Sequence, residues 1–396
     1  MLKRNKWLIA LAGMMLQLSI GSVYAYSVWI KPINLSNGWD AHQLKLAFSL
    51  AICFLGLTAA FMGKFVQKIG PQKAGLLGAI FWGAGLLGSG FAASQGSLPL
   101  FYFFYGIISG IGLGFGYITP VSVVVKWFTE KPGFASGLVI MSFAAGSIIA
   151  SKIIPSLAAT YGVPNAFYIL GITYFILMLL ASIYLTLPET TVNSSSNTTT
   201  VKLSELLSDL RFYSLWLMLF FNTTCGIALI AIAAPMAKDI IHINDAAAIT
   251  FVATIGLFNG LGRLIWSSIS DKIGRWNTFM AFFLIGAICF LVLSNTQTSF
   301  IFQVTVFIII SCYGGAFATM PAFVKDIYGT DKVGSVLGYV LTAWSAAAFA
   351  GPWLITVTTN YSMIFYLFAG LLILIAAISL LVKSKLQNKI AVLVIS

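Results

Sequence analysis

Charge is what this chain has least of. Only 8% of its 396 residues are Asp, Glu, Lys or Arg, while 59% are hydrophobic. A water-soluble domain carries roughly 25% charged residues, so a soluble globular protein is excluded. Acids are scarcest, ten against 22 Lys and Arg. All ten, from Asp40 to Asp331, fall in expected loops or at helix ends. Proton-driven pumps usually hold a carboxylate or histidine inside the membrane, so coupling through an embedded acid is not expected. The two histidines, His42 and His242, lie near expected loops and leave little to build a metal site from. Cys53, Cys225, Cys289 and Cys312 sit inside apolar runs with no CxxC pair. That pattern indicates neither a zinc site nor a disulfide framework; the cysteines read as small packing residues. No Walker loop, HExxH or buried Ser/His/Asp group is present. Neither enzyme activity nor a cofactor is expected.

Long apolar runs are what the chain does have. Twelve can be read, near 7–30, 44–63, 74–94, 98–121, 134–157, 164–187, 212–237, 246–270, 276–294, 299–322, 335–357 and 361–382. Each is continuous and about 20 residues long, the length of a membrane-spanning helix rather than the alternating segments of a barrel. The first begins after Lys3, Arg4 and Lys6 but outlasts a signal peptide's apolar core, so it reads as a span. With the N-terminus placed in the cytoplasm, seventeen basic residues fall on the inner side. Four fall outside: Lys31, Lys45, Lys152 and Lys238. This asymmetry puts both termini inside and accounts for the basic balance, so nucleic acid is not needed as a partner. The bilayer is the expected surrounding, as a multi-pass protein of the plasma (inner) membrane and a monomer.

Residues 188–211 form the longest polar stretch, including Asn193-Ser194-Ser195-Ser196-Asn197, too poor in apolar residues to fold alone. It reads as a cytoplasmic linker between six-helix bundles at 1–187 and 212–396. The halves repeat: Lys68-Ile69-Gly70 recurs as Lys272-Ile273-Gly274, and Gly133 and Gly137 recur as Gly334 and Gly338. A same-direction duplication implies parallel repeats with a site between them near the midplane.

Arg263 is the one basic residue that belongs to neither side. It lies in Asn259-Gly260-Leu261-Gly262-Arg263, inside the eighth apolar run. An arginine near the bilayer centre costs about 2.5–3.5 kcal/mol on insertion scales and normally faces a protein interior or a cavity. It reads as the partner of an anionic substrate. Snorkelling to the inner surface, about 10 Å away at Ser270, or pairing with Asp271 are the other two uses. Asn259 lies one turn away on the same face, where it would bond substrate or hold a helix pair. The glycines from Gly106 to Gly116 read as a close helix contact, Lys152 as a snorkelling lysine, and Tyr26 and Trp29 as interfacial aromatics.

Twelve spans, a central linker and two basic turns resemble the major facilitator superfamily over essentially the whole chain. Gly63, Lys68 and Gly70 match its first turn, with Gln67 in place of the acid. Asp271, Lys272, Gly274 and Arg275 match the second copy, with Ser267 replacing the first glycine. By resemblance these turns are conformational latches, and spans one, four, seven and ten line the cavity. Tyr24, Tyr117, Tyr313 and Trp344 are then the expected aromatic wall. Gly21-Ser22-Val23-Tyr24-Ala25-Tyr26, Gly112-Leu113-Gly114-Phe115-Gly116-Tyr117 and the Arg263 run resemble the oxalate/formate antiporter and monocarboxylate transporter group. In that group the matching arginine binds substrate carboxylate. Its oxalate antiporters carry a second cation in span eleven, where this chain reads Thr342-Ala343-Trp344 without lysine or arginine. The resemblance therefore implies a monocarboxylate such as formate, lactate or pyruvate, with a counter-anion or a proton as co-substrate. An oxalate/formate exchanger and a carrier of another small solute are the alternatives. A carboxylate sensor would be expected to carry a sizeable soluble domain, and the longest polar stretch has only about 20 residues.

Overall fold

A computed structural model describes residues 5–188, 203–358 and 360–395, excepting the side chains at 42, 62–64, 67, 245, 249 and 385–395. Among the described residues twelve helices are long and apolar enough to cross a membrane. They are α1 Lys6–Ala25, α3 Pro71–Ser94, α4 Leu98–Trp127, α5 Pro132–Tyr161, α6 Val163–Tyr184, α7 Leu210–Ile241, α9 Arg275–Leu293, α10 Ser299–Tyr328 and α11 Thr330–Leu354, with α2 Ala41–Ile69, α8 Asp245–Ile273 and α12 Tyr361–Ile395. Most of the expected linker, residues 189–202, lies outside the described set. Its end is structured: Leu203–Leu207 forms a short helix with Leu206 buried. After α1 the chain continues as a further helix, Ser27–Asn37, beyond the expected end near residue 30.

Two expected surface aromatics are buried instead. Tyr26 donates to the Leu44 carbonyl at 2.8 Å, and Trp29 stacks on Phe167 with centroids 3.9 Å apart. Both sit at the start of the extra helix, where the backbone stays right-handed helical and the chain packs against α5, α2 and α6.

Lipid tails are as apolar as leucine, so close packing at small residues brings these helices together. A Cβ on Gly110 would sit 2.6 Å from Phe54 Cβ, and one on Gly114 would sit 2.5 Å from Thr58 Cβ. Gly106, Gly110 and Gly114 of α4 thus form the contact with α2, while Gly112 lies against Trp82 of α3. The first six and last six helices meet along α5–α8 and α2–α11. Gly137 on α5 lies against the Arg263 carbonyl, and Gly338 on α11 lies against the Ala59 carbonyl. These pairs occupy matching places in the sequence repeat, so the interface repeats as well.

Twelve crossings put both chain ends on one face, and the interface is closed towards that face. Proceeding along α8 away from it, a Cβ on Gly260 would touch only Ala144, at 3.2 Å, and one on Gly256 would touch nothing. Ile148, Ile149 and Val252 beyond that point are exposed. The helices therefore part towards the opposite face.

Candidate functional site

Arg263 is 3% exposed, with its side chain directed from α8 to α5. Its Nη1 donates to the Ile140 carbonyl at 2.9 Å. The guanidinium carbon sits 5.4 Å from the centre of the Phe143 ring, a cation–π distance. Nε is buried without a partner, and among the described residues neither carboxylate nor carbonyl meets Nη2. One edge of the guanidinium is thus committed to protein and the other, Nε with Nη2, is free. Snorkelling does not occur, and Asp271 is held by another residue.

The expected aromatics do converge on this point. Tyr24 comes from a 3₁₀ turn, Ser22–Ala25, that ends α1 and turns the ring inward. Trp344 follows a break in α11 at Leu341, between Val333–Val340 and Thr342–Leu354; Trp216 Nε1 of α7 donates to Thr342 Oγ1 at 2.9 Å beside it. The Trp344 ring lies 6.0 Å from Tyr24, 5.8 Å from Tyr117 and 4.9 Å from Phe317. It joins aromatic rings of α1, α4 and α10. Tyr24 and Tyr117 also meet Phe143, at 5.0 and 6.2 Å, and Tyr313 meets Phe317 at 5.4 Å. Tyr24 and Tyr313 interact through their hydroxyls, and both, with Tyr117, feel the Arg263 charge. The result is one cation walled by rings and hydroxyls from both halves.

Asn259 is buried one turn from Arg263, with its main-chain oxygen and Oδ1 against Gly314 of α10. That contact belongs to helix packing; Oδ1 has no hydrogen-bond partner. Sequence reasoning missed Ile140, Phe143 and Phe317. An ordinary isoleucine and two phenylalanines in a chain with 14% aromatics carry no signal. Only the α5–α8 register at Gly137 puts Ile140 and Phe143 on Arg263.

At the closed face, the second latch turn crosses the interface. Asp271 accepts from the Gly133 and Phe134 amides at 2.9 and 2.8 Å. These are unpaired donors in the first turn of α5, where a negative charge is favoured. Arg275 holds Asp271 at 2.6 Å and Asp326 at 3.1 Å. Lys325 donates to the Thr129 carbonyl at 3.0 Å and Ser136 to the Ala318 carbonyl at 2.5 Å, both between halves. Gly274 and Gly70 take φ of 85° and 84° at the tight turns, a region that glycine enters without steric cost. Lys68 and Lys272 are exposed and stand apart from this network. Gly63 lies within α2, at a position whose packing is outside the described set.

The sequence profile of the Major Facilitator Superfamily matches residues 9–352 and, again, 223–391. Among curated proteins the chain is 28% identical to the uncharacterized MFS-type transporter YhjX of Escherichia coli (strain K12), covering 85% of this chain and 84% of that one. It is 27% identical to the oxalate:formate antiporter of Oxalobacter formigenes, covering 90% and 86%. Among solved structures it superposes on the human organic anion transporter MFSD10 (TETRAN) with a TM-score of 0.77, at 13% identity, covering 95% and 100%. The last likeness is one of fold.

Proposed function

The chain belongs to the Major Facilitator Superfamily, and from that premise we propose that it carries a small monocarboxylate, such as formate, lactate or pyruvate, across the membrane by alternating access. The observation that carries the reading is the free Nε/Nη2 edge of Arg263, buried among Tyr24, Tyr117, Phe143 and Trp344, with no acid beside it among the described residues. A carboxylate presents two oxygens at the spacing of two adjacent guanidinium N–H groups. It would satisfy the orphaned Nε and neutralise a charge that is costly at this depth. The rings would enclose the short remainder of the substrate and exclude water, with the tyrosine hydroxyls giving orientation.

Binding would also couple to movement. Arg263 reaches across to Ile140, so its neutralisation bears on the contact between the two six-helix bundles, 1–187 and 212–396. The bundles would rock about the site, with Asp271 and Arg275 holding the closed face until the far face shuts. No embedded acid is available for proton coupling, so exchange for a second anion, or entry with a proton carried on the substrate, fits the residues. The basic asymmetry of the loops supports cytoplasmic termini in a plasma membrane.

Exchange of oxalate for formate is the second reading, favoured by the similarity to the antiporter of Oxalobacter formigenes. It would leave one oxalate carboxylate facing Trp344 without a cation. Uptake into proteoliposomes decides. Labelled formate, lactate, pyruvate and oxalate are compared, with a counter-anion inside or a proton gradient imposed. Accumulation of a monocarboxylate but not oxalate is expected. Transport of a neutral or cationic solute with no response to carboxylates would falsify the assignment.

A further inference from the structure

We propose that one water molecule is bound inside the first six helices, in a small cavity separate from the Arg263 site, with the indole N–H of Trp82 as its principal donor. The cavity is bounded by Ser22, Trp29, Trp82, Tyr105, Leu170 and Tyr174, among others, all of them buried. Its free space is on the scale of a single water. A carboxylate or any organic solute is too large for it.

The lining is polar where a water needs it to be. Trp82 is 1% exposed, and its Nε1 has no partner among the described residues. An indole N–H can only donate, and leaving it unmet in the interior is costly. Tyr105 and Tyr174 line the same space, and each carries a hydroxyl that can accept. Tyr174 interacts with the Ser22 hydroxyl, which donates in turn to the Ser19 carbonyl at 2.8 Å. A water accepting from Trp82 and donating to the two tyrosine oxygens has three partners, the usual number for a buried water. Tyr174 can then donate to Ser22, so the chain of donors closes at the Ser19 carbonyl.

The backbone around the cavity explains why there is space here. Ser22 opens the 3₁₀ turn of α1, and Tyr105 lies in a π-helical stretch of α4, Tyr102–Ile108. Both helices depart from α geometry, one tightened and one widened, so their side chains fall out of register with α3 and α6. The water fills that mismatch. Tyr24 of the substrate wall is two residues from Ser22, so the water also supports the turn that aims it. The inference stands whether or not a carboxylate is the substrate.

Radiolytic labelling of the purified full-length protein with short X-ray pulses tests this, since a bound water generates hydroxyl radicals in place. Tyr105 and Tyr174 should be oxidised several-fold faster than Phe283 and Phe302, which are buried away from the cavity, after allowance for the faster intrinsic reaction of a phenol. Leu170→Phe, which fills the space, should slow both tyrosines several-fold relative to the parent while leaving Phe283 and Phe302 unchanged. Trp82→Phe enlarges the space but removes the donor, and should also slow their labelling. After the same allowance, rates in the parent protein no faster than at Phe283 and Phe302 would overturn the proposal. So would unchanged or faster labelling of the tyrosines in either folded variant.

Discussion

Arg263 on α8 donates to the main-chain oxygen of Ile140 on α5, 2.9 Å away. The buried cation of the candidate site is therefore tied to the opposite half of the molecule before any anion arrives. The tie uses Nη1 and leaves Nε without a partner. Binding and closure meet in one side chain, and the predictions below separate them.

Removing the guanidinium should remove transport. A hydrogen bond to a charged group contributes about 1.5–3 kcal/mol, roughly a 10- to 150-fold loss of affinity for each one lost. Arg263→Ala is expected to give no measurable uptake of formate or lactate at normal membrane abundance. Arg263→Lys keeps the charge but loses the planar edge, and should retain weak uptake at best. Parent-like uptake by Arg263→Ala would end the assignment.

By its resemblance to the oxalate/formate antiporter group, Trp344 takes the place in span eleven of that group's second cation, and the proposed monocarboxylate reading rests on that substitution. Trp344→Lys is expected to raise competition by oxalate relative to formate by at least about ten-fold, on the same scale of a charged hydrogen bond. Overall uptake should fall, because the contacts with Tyr24, Tyr117 and Phe317 are lost. Inhibition curves in proteoliposomes read both effects; an unchanged oxalate-to-formate ratio counts against the monocarboxylate reading.

Asp271 caps the first turn of α5 across the interface. In Asp271→Asn the charge is gone, and with it the ion pair to Arg275. The closed face should open more often. A cysteine introduced at Ser136, which is fully buried there, should react faster with an impermeant thiol reagent applied from the face of the termini. Equal rates with and without Asp271→Asn would remove the latch role.

Gly137 admits the Arg263 carbonyl where a side chain cannot fit. Gly137→Val is expected to keep the closed face from forming. Uptake should be abolished, while the Ser136→Cys position becomes reactive without substrate. Gly256→Val, at a position with open space around its Cβ, should transport at near-parent rates and serves as the control.

Asp209 precedes α7 and ties it to the end of α10. Burial pushes its carboxyl up, yet hydrogen bonds from Arg211 and Tyr328 outweigh that and hold it below its ordinary value. A depressed carboxyl stabilises the fold above the unfolded-state pKa of about 3.9. That stabilisation is lost as pH falls through the lower, folded-state value. Asp209→Asn should therefore lower the melting temperature in detergent at pH 7, with the gap to parent shrinking towards pH 3. A gap that widens on acidification would contradict this sign.

Some of this protein is decided by sequence alone. Continuous apolar runs can satisfy their backbone in a bilayer only as helices, so twelve spans follow from composition and length. Arg263 is legible because a lone buried cation is expensive wherever its neighbours lie. The repeat of Lys68-Ile69-Gly70 at Lys272-Ile273-Gly274 is visible because tight turns demand particular residues.

The partners across the interface are a different matter. Ile140 and Phe143 meet Arg263 through the register of α5 on α8, which is fixed where Gly137 and Gly133 let backbones touch. Tyr26 and Trp29 are buried where the helix Ser27–Asn37 packs against α5, α2 and α6, which no local pattern announces. Which face is closed depends on contacts at Gly133, Gly137 and Asp271 that outnumber those at Gly256 and beyond. An apolar helix does not record in its own sequence which of its sides meets another helix and which meets lipid, because both are equally apolar. Only the packed structure makes that choice, through the shapes of small residues and the few polar groups that need a partner.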